Sequence, residues 1–273
     1  MRSLSGMDAE LRRQVEKSGY EQPGFAEHYD RYRPRPPLAL LELLPPLAGV
    51  DRPSLVVDLG TGTGLSARIW AERADRVVGV EPNDAMRAFA EEATDASNVT
   101  YLGGSSYQTG LPDACADLVT ASQSLHWMRP ERVFPEIGRI LRLGGVFCAY
   151  EYFVLQTPLW EPEAEWEVVL GNKRELRAKL ELDADKRVWP VSLTRLEGSG
   201  VFRYARELAL HSVERGDGER LVGMALSEGS MTTLLEAGAS EQDVGLDRLR
   251  LVAKKMREPV PWWIGYHVWI GLK

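Results

Sequence analysis

The sequence predicts an α/β protein with a Rossmann-like, doubly wound sheet of about seven strands, mostly parallel with an antiparallel last strand. Three observations favour it: short apolar runs alternate with helical patterns from residue 55 onward, brief loops join them, and the final run places apolar residues at every second position. Strands that alternate with helices over short connections are typical of βαβ units, whose parallel sheet is covered on both faces.

The strand predictions follow the apolar runs along the chain. Six predicted strands cover 55–59, 76–80, 98–102, 117–121, 145–152 and 201–213, and the closing run PWWIGYHVWIGLK is the seventh. In that run alternate residues share one face, as in any strand: Trp262, Ile264, Tyr266, Val268 and Ile270. Helices are expected from about residues 64, 83 and 130, with two or three more between 217 and 257.

Two segments stand outside this alternation. Residues 1–24 form a polar N-terminal arm with one short helical pattern, from Asp8 to Lys17. The arm is either disordered or docked, on its own fold or on a second subunit, and the last alternative would make the protein a homo-oligomer. Residues 155–200 are rich in charge and tryptophan, and we expect them to form helices inserted over one end of the sheet.

Composition limits the classes of function. The chain has 273 residues, is 44% hydrophobic and carries a net charge of −7, the wrong sign for a protein that binds mainly nucleic acid or an anionic membrane. Neither the two cysteines nor the four histidines show the spacing of a metal site. With no apolar core of a signal peptide and no long apolar run, we predict a cytoplasmic protein that acts on a small molecule.

The stretch VVDLGTGTG, residues 56–64, predicts the ligand site. In doubly wound sheets ligands bind beyond the carboxyl ends of the strands, where Gly60, Gly62 and Gly64 lie. A dinucleotide fingerprint needs glycine or alanine at position 65, which is leucine here, so the pyrophosphate pattern fails. A glycine turn alone also serves tight packing. Glu81, just past the second strand, adds a carboxylate that can accept both ribose hydroxyls, and the two features together indicate a nucleoside.

Four stretches in order resemble the class I S-adenosylmethionine-dependent methyltransferases, in the small-molecule group with the methyltransferase-11 type of domain. They are VVDLGTGTG at 56–64, VVGVEPNDAM at 77–86, LPDACADLVTASQSLHWM at 111–128 and EIGRILRLGGVF at 136–147. The resemblance covers about residues 25–152, and the tail also resembles the trans-aconitate methyltransferases. It implies a methyltransferase domain at 25–273, in which 155–200 is the substrate lid and the aromatic helix at 25–34 a cover.

The resemblance also implies S-adenosylmethionine as cofactor and a set of contacts to it. Asp58 would hold the methionine amino group directly or through water, and Glu81 the ribose. Hydroxyl or backbone contacts at the adenine edge would come from Ser105 and Ser106. The remaining cofactor-binding candidates are Gly60, Thr61, Gly62 and Gly64 under the methionine and ribose, Pro82 and Met86 beside the adenine, and Ser122 near the sulfonium.

The acceptor side leaves more alternatives open. His126, in the loop SQSLHWM, either accepts a proton from the nucleophile or only lines the pocket. Tyr29 either faces the sulfonium or the substrate, or it buries one face of a helix. Arg33 and Arg35 either meet the donor's carboxylate or are solvated. The substrate-lining candidates are Trp127, Trp160, Trp166 and Trp189, and Trp262, Trp263, Tyr266 and Trp269 of the last strand either join them or fill the core.

These residues predict transfer of a methyl group from S-adenosylmethionine to a small, fairly apolar metabolite, in secondary metabolism, with oxygen, nitrogen or carbon as acceptor. Positioning of donor and acceptor would be the main catalytic effect, because methyl transfer is an in-line displacement. The alternative is a catalytically silent regulator or partner protein that binds the same cofactor. SQSL lacks the Asn/Asp-Pro-Pro-aromatic stretch of enzymes that methylate nucleic-acid bases, which argues against such substrates.

Overall fold

The computed structural model describes residues 9–16, 18–157, 159–183 and 188–273. It contains one seven-stranded sheet with the order β3-β2-β1-β4-β5-β7-β6. Strands β1 to β5 are parallel, and β7 runs antiparallel to both of its neighbours, so the predicted doubly wound architecture is confirmed. The strands are β1 Val56–Leu59, β2 Val77–Glu81, β3 Val99–Gly103, β4 Ala116–Ser122, β5 Leu141–Gln156, β6 Tyr204–Gly216 and β7 Val260–Leu272.

Helices cover both faces of the sheet. They are α1 Ala9–Glu16, α2 Phe25–Tyr32, α3 Ala39–Leu47, α4 Leu65–Arg68, α5 Asp84–Glu92, α6 Pro130–Ile140, α7 Trp160–Lys179, α8 Leu193–Glu197, α9 Gly218–Leu226, α10 Gly229–Glu236, α11 Glu241–Val244 and α12 Leu246–Ala253. Across the described ranges, none of these helices is long and apolar enough to span a membrane. The segment 217–257 holds four helices rather than two or three, because left-handed Gly245 ends α11 and begins α12.

The core consists of two apolar clusters, one on each face of the sheet. One face packs against α3, α9, α10 and α12, with Leu44, Leu221 and Leu249 fully buried. The other packs against α6 and α8 through residues such as Ile137 and Leu196. Strands β1 and β2 are buried along their whole length, as expected when both faces of a parallel sheet are covered.

The N-terminal arm docks on its own fold as far as it is described. The ring of Tyr20 stacks on Phe25 with the centroids 5.1 Å apart, and Gln22 donates a hydrogen bond to Glu236 of α10. Gly19 lies so close to Gly229 that a Cβ atom would come within 2.7 Å of the Gly229 carbonyl oxygen. The predicted helical pattern appears as α1, while its flanking residues Asp8 and Lys17 lie outside the described residues.

The insert at 155–200 lies elsewhere than expected. Its long helix α7 packs on α12 and also contacts α9, α10 and α11. The partly buried Trp166 belongs to this packing. Helix α7 therefore joins the helical layer, whereas α8 packs on the other face of the sheet. No described residue of 155–200 lines the cavity at the carboxyl ends of the strands, which the arm and α2 cover.

Candidate active site

A cavity with about 1160 Å³ of empty volume opens at the carboxyl ends of β1, β2 and β4. This is the edge of a parallel sheet at which ligands are expected. Its wall is built from the loops that follow those strands, from residues 105–107, and from the arm with α2. The residues that line it include Tyr20, Tyr29, Arg33, Thr61, Gly62, Glu81, Pro82, Asn83, Met86, Ser105, Ser106, Ser122, Gln123, Trp127 and Tyr152.

The three glycines of the first loop are required for different reasons. All have positive φ, +66° at Gly60, +58° at Gly62 and +85° at Gly64, which a residue with Cβ adopts only with strain. A Cβ at Gly60 would lie 2.7 Å from that of Ser124, and one at Gly64 would overlap the Tyr101 hydroxyl. A Cβ at Gly62 would meet only Met86, at 3.6 Å. Gly62 thus leaves the cavity open, whereas Gly64 does not line it and permits packing inside the protein.

Glu81 holds the glycine loop and faces the cavity. Its side chain ends β2, is 7% exposed, and accepts the Gly62 N–H and the Asn83 N–H, both at 2.8 Å. Burial raises the pKa of this carboxyl to about 7, although both hydrogen bonds favour the charged form. Each carboxylate oxygen keeps a free lone pair for a ligand hydroxyl.

Asp58 lies beneath the loop, outside the lining of the cavity. Its fully buried carboxylate accepts the Thr120 hydroxyl at 2.6 Å and the Ser66 hydroxyl, so it ties β1 to β4 and to α4. Burial raises the pKa of Asp58. Its predicted contact to a methionine amino group, direct or through water, stays a prediction.

The predicted adenine end comes together in the structure. Pro82, Met86, Ser105 and Ser106 all line the cavity. The sequence reasoning missed Asn83, which is 3% exposed and caps α5 by accepting the N–H groups of residues 85 and 86. Within the described chain its buried Nδ2 has no hydrogen-bond partner. An asparagine directly before a helix start was the available signal.

The loop after β4 also reaches the cavity. Ser122 lines it as predicted, and Gln123 joins it with φ +52°, a conformation uncommon for residues other than glycine. The Gln123 N–H donates to the Tyr150 carbonyl at 3.0 Å, while its buried Nε2 has no partner among the described residues. Strained backbone of this kind concentrates at functional sites.

His126 lies just beyond the main cavity and lines a side pocket with about 520 Å³ of empty volume. Its Nδ1 is 2.6 Å from Oε1 of Glu151 on β5, a partner that sequence reasoning missed. The side pocket and the cavity share several lining residues, so the two adjoin. The shared residues are Ser18, Tyr20, Tyr29, Arg33, Gln123, Trp127 and Tyr152.

Arg33 is a buried cation in this shared wall. It is 9% exposed, donates from Nη2 to the Ser227 carbonyl at 2.8 Å, and lies 4.9 Å from the ring centroid of Tyr29 and 5.8 Å from that of Tyr152. Its Nε has no partner in the part of the chain described. Arg35 differs: its side chain is half exposed, 3.6 Å from Asp30, and outside the lining.

Of the four tryptophans predicted to line a substrate site, only Trp127 lines the cavity. Trp160 is 76% exposed, and Trp166 packs against the core. Trp189 lines a separate small pocket, and its backbone N–H donates a hydrogen bond to the His126 carbonyl at 2.8 Å.

The prediction failed for the insert because α7 packs on other helices. The last strand fills the core instead of the cavity, with Trp262, Tyr266 and Trp269 buried and Trp263 39% exposed. Tyr20 and Tyr152 supply the aromatic wall, and neither belongs to a motif.

Comparisons with known proteins agree with this geometry. Residues 57–149 match the family model of the methyltransferase-11 Methyltransferase domain. The Probable S-adenosylmethionine-dependent methyltransferase CRG1 of Saccharomyces cerevisiae is 29% identical over 143 residues, 50% of this chain and 48% of that protein. An uncharacterized methyltransferase of Mycobacterium tuberculosis is 37% identical over 118 residues, 43% of this chain and 46% of that protein. The chain thus spans about half the length of the curated relatives that it matches.

Solved structures extend the likeness to most of the chain. The "Putative Type II Methyltransferase" of Anaeromyxobacter dehalogenans has a TM-score of 0.64 at 26% identity, over 88% of this chain and 98% of that one. Phosphoethanolamine N-methyltransferase 2 of Haemonchus contortus, in complex with S-adenosyl-L-methionine, shares the fold with a TM-score of 0.55 at 17% identity, over 98% of this chain and 60% of that one. Residues 57–149 therefore resemble the methyltransferase domain of S-adenosylmethionine-dependent methyltransferases, and most of the chain shares the fold of solved methyltransferase structures.

Proposed function

We propose that this protein transfers a methyl group from S-adenosylmethionine to a small, fairly apolar metabolite of secondary metabolism. The observation that carries the proposal is the Glu81 carboxylate, buried at the end of β2 and held by the Gly62 N–H at the edge of a large cavity. A carboxylate in this place, beside an open glycine loop, suits the two hydroxyls of a ribose.

The donor end of the cavity fits an adenosyl group by three further features. Gly62 leaves space where any side chain would project, and Met86, which is 2% exposed, offers an apolar surface for a flat base. The unpartnered Nδ2 of Asn83 is a donor that needs an acceptor such as a ring nitrogen or a ribose oxygen. These groups support the assignment of Glu81, Pro82 and Met86 to the nucleoside.

Arg33 supports an amino-acid group at the other end of the donor. A buried guanidinium whose Nε lacks a partner is costly, and a carboxylate ligand would satisfy both the charge and the donor. The stacked rings of Tyr29 and Tyr152 hold the guanidinium in place without neutralising it. We therefore assign Arg33 to the carboxylate of the donor's methionine.

Catalysis would rest on positioning and on exclusion of water. S-adenosylmethionine supplies the methyl group, on a positively charged sulfur. The rings of Tyr20, Tyr29, Tyr152 and Trp127 line the same space, stabilise positive charge with their faces and present an apolar wall to the acceptor. Orientation of the reactants lowers the activation free energy by about 7–11 kcal/mol.

A product screen tests the proposal. The protein is incubated with S-adenosylmethionine and mixtures of small apolar metabolites, and mass spectrometry reads the gain of one methyl group. We expect a methylated product that Glu81→Ala abolishes and that Trp160→Ala, altering an exposed residue outside the cavity, leaves unchanged. Donor binding without any product in the wild-type protein would contradict the proposal and favour a silent binding protein.

A further inference from the structure

His126 lines the side pocket and is paired there with Glu151 of β5, and neither residue is among the donor contacts assigned above. We propose that this pocket takes an acceptor whose oxygen or nitrogen nucleophile carries an acidic proton, that His126 removes this proton, and that Glu151 positions His126. The inference rests on the proposed function and names the class of acceptor and the base.

The geometry leaves one imidazole nitrogen for the acceptor. Nδ1 of His126 is 2.6 Å from Oε1 of Glu151, and the side chains are 21% and 26% exposed. No hydrogen bond of the described residues involves Nε2, and His126 lines the side pocket. A carboxylate at Nδ1 places the proton of the neutral ring there, which makes Nε2 the basic nitrogen.

A backbone contact and a ring contact also hold His126 in place. The His126 carbonyl accepts a hydrogen bond from the backbone N–H of Trp189 at 2.8 Å, and the imidazole lies against the Trp127 ring with the centroids 5.0 Å apart. Residue 126 sits in a short 3₁₀ turn, Leu125–Trp127, directly after the strained Gln123. His126 is therefore held at the junction of the side pocket and the cavity.

The charged and titratable groups around the side pocket identify Glu151 as the carboxylate partner of His126. Arg33 and Glu228 line the same pocket, and Glu228 is engaged by Lys173 of α7. His267, the strand neighbour of Glu151 on β7, has its own carboxylate partner 3.3 Å away in Glu207 of β6. Tyr20, Tyr29 and Tyr152 complete the titratable lining. Glu151 is thus the carboxylate in contact with His126, and it stabilises the imidazolium against the nearby Arg33.

The step balances with the groups named. The acceptor's oxygen or nitrogen forms the new bond to the methyl carbon as its own proton moves to Nε2 of His126. The carbon–sulfur bond breaks and its electron pair stays on sulfur, which leaves S-adenosylhomocysteine, the methylated acceptor and an imidazolium facing Glu151. The proton then returns to solvent.

Nuclear magnetic resonance of the imidazole nitrogens tests the pair without turnover. In the protein saturated with S-adenosylhomocysteine, we expect His126 to carry its neutral-state proton on Nδ1, and this preference for one tautomer to weaken in Glu151→Gln. Glu207→Gln is the matched control, because it makes the same change at the neighbouring histidine–carboxylate pair and should leave His126 unchanged. The same tautomer of His126 in equal proportion in wild type and Glu151→Gln would overturn the inference.

Kinetics on the acceptor found in the product screen test the base. His126→Gln should lower kcat by about 10²–10⁴-fold, the usual contribution of general base catalysis, with little change in KM or in S-adenosylhomocysteine affinity. Glu151→Gln should lower kcat less and shift the acidic limb of the pH profile, on which a general base is lost by protonation. A product methylated at carbon, or unchanged kcat in His126→Gln, defeats this inference alone. If the wild-type protein methylates nothing, the proposed function fails, and this inference with it.

Discussion

The donor end and the acceptor end of the cavity are built in different ways. At the donor end, Gly62, Glu81 and Ser122 lie at the carboxyl ends of β1, β2 and β4 or directly after them, so short motifs specify them. At the acceptor end, Tyr20, Tyr29 and Tyr152 come from the arm, α2 and β5, which only tertiary packing brings together. The residues assigned to the nucleoside are therefore local in sequence, and those assigned to the acceptor are not.

Substitution of Glu81 should have the largest effect on the donor end. Glu81→Ala removes an acceptor for two hydroxyls, and hydrogen bonds to a charged group contribute about 1.5–3 kcal/mol each. We expect S-adenosylhomocysteine to bind about 10²–10⁴-fold more weakly by calorimetry. Glu151→Gln, at the acceptor end, should leave this affinity unchanged, and Glu81→Gln tests the charge at constant size. Equal affinity in wild type and Glu81→Ala would remove the ribose assignment.

Arg33 lies at the boundary between the two ends, because it lines both the cavity and the side pocket. Arg33→Met should weaken S-adenosylhomocysteine about tenfold or more, the loss of one charged hydrogen-bond contact. It should leave 5′-methylthioadenosine, which lacks the amino-acid group, almost unaffected. Equal losses for the two ligands would mean that Arg33 does not hold the donor's carboxylate.

Substitutions of Gly62 and Gly64 distinguish space left for the ligand from packing inside the protein. Gly62→Ala and Gly64→Ala both place Cβ on a left-handed residue, which costs about 1–2 kcal/mol in each. Gly64→Ala should lower the melting temperature further through overlap with Tyr101, and Gly64→Ala combined with Tyr101→Phe should recover part of the loss. Gly62→Ala should instead reduce donor affinity beyond its effect on stability. The opposite pattern would contradict the roles assigned to these glycines.

The raised pKa of Glu81 predicts that donor binding is linked to protons. With a pKa of about 7, most Glu81 side chains are protonated at pH 6 in the free protein. Hydroxyl donors favour the ionised form and lower this pKa, so binding should release most of a proton at pH 6 and almost none at pH 8.

Calorimetry in buffers of different ionisation enthalpy measures that release, and Glu81→Gln should abolish it. The free energy of unfolding of the ligand-free protein also depends on this group. The contribution of buried, neutral Glu81 is present at low pH and is lost as pH rises through about 7. Proton uptake at pH 6, or release that persists in Glu81→Gln, would show that another group titrates.

The fold and the donor end were predictable because their signals are local. The strands around Val57 and Val78 are rich in valine and fully buried because both sheet faces are covered, and the glycine positions follow from a turn that needs positive φ. Asp58 shows the limit of such reasoning: the motif marks the residue, but only the structure shows its carboxylate turned toward Thr120 and Ser66.

The acceptor end could not be predicted for a physical reason. Trp160 and Trp166 were attractive because large aromatic side chains line pockets, yet the same side chains pack between helices or stay exposed. The pairing of His126 with Glu151 depends on the register of β5 beside β4 and on the turn after β4, which no spacing in the sequence encodes.

A crystal structure with S-adenosylhomocysteine tests the central claim, that this cavity binds the methyl donor through Glu81. We predict both ribose hydroxyls within hydrogen-bond distance of the Glu81 carboxylate, the adenine against Met86 and the sulfur facing the side pocket of His126. A ligand bound elsewhere, or a ribose turned away from Glu81, would contradict the account.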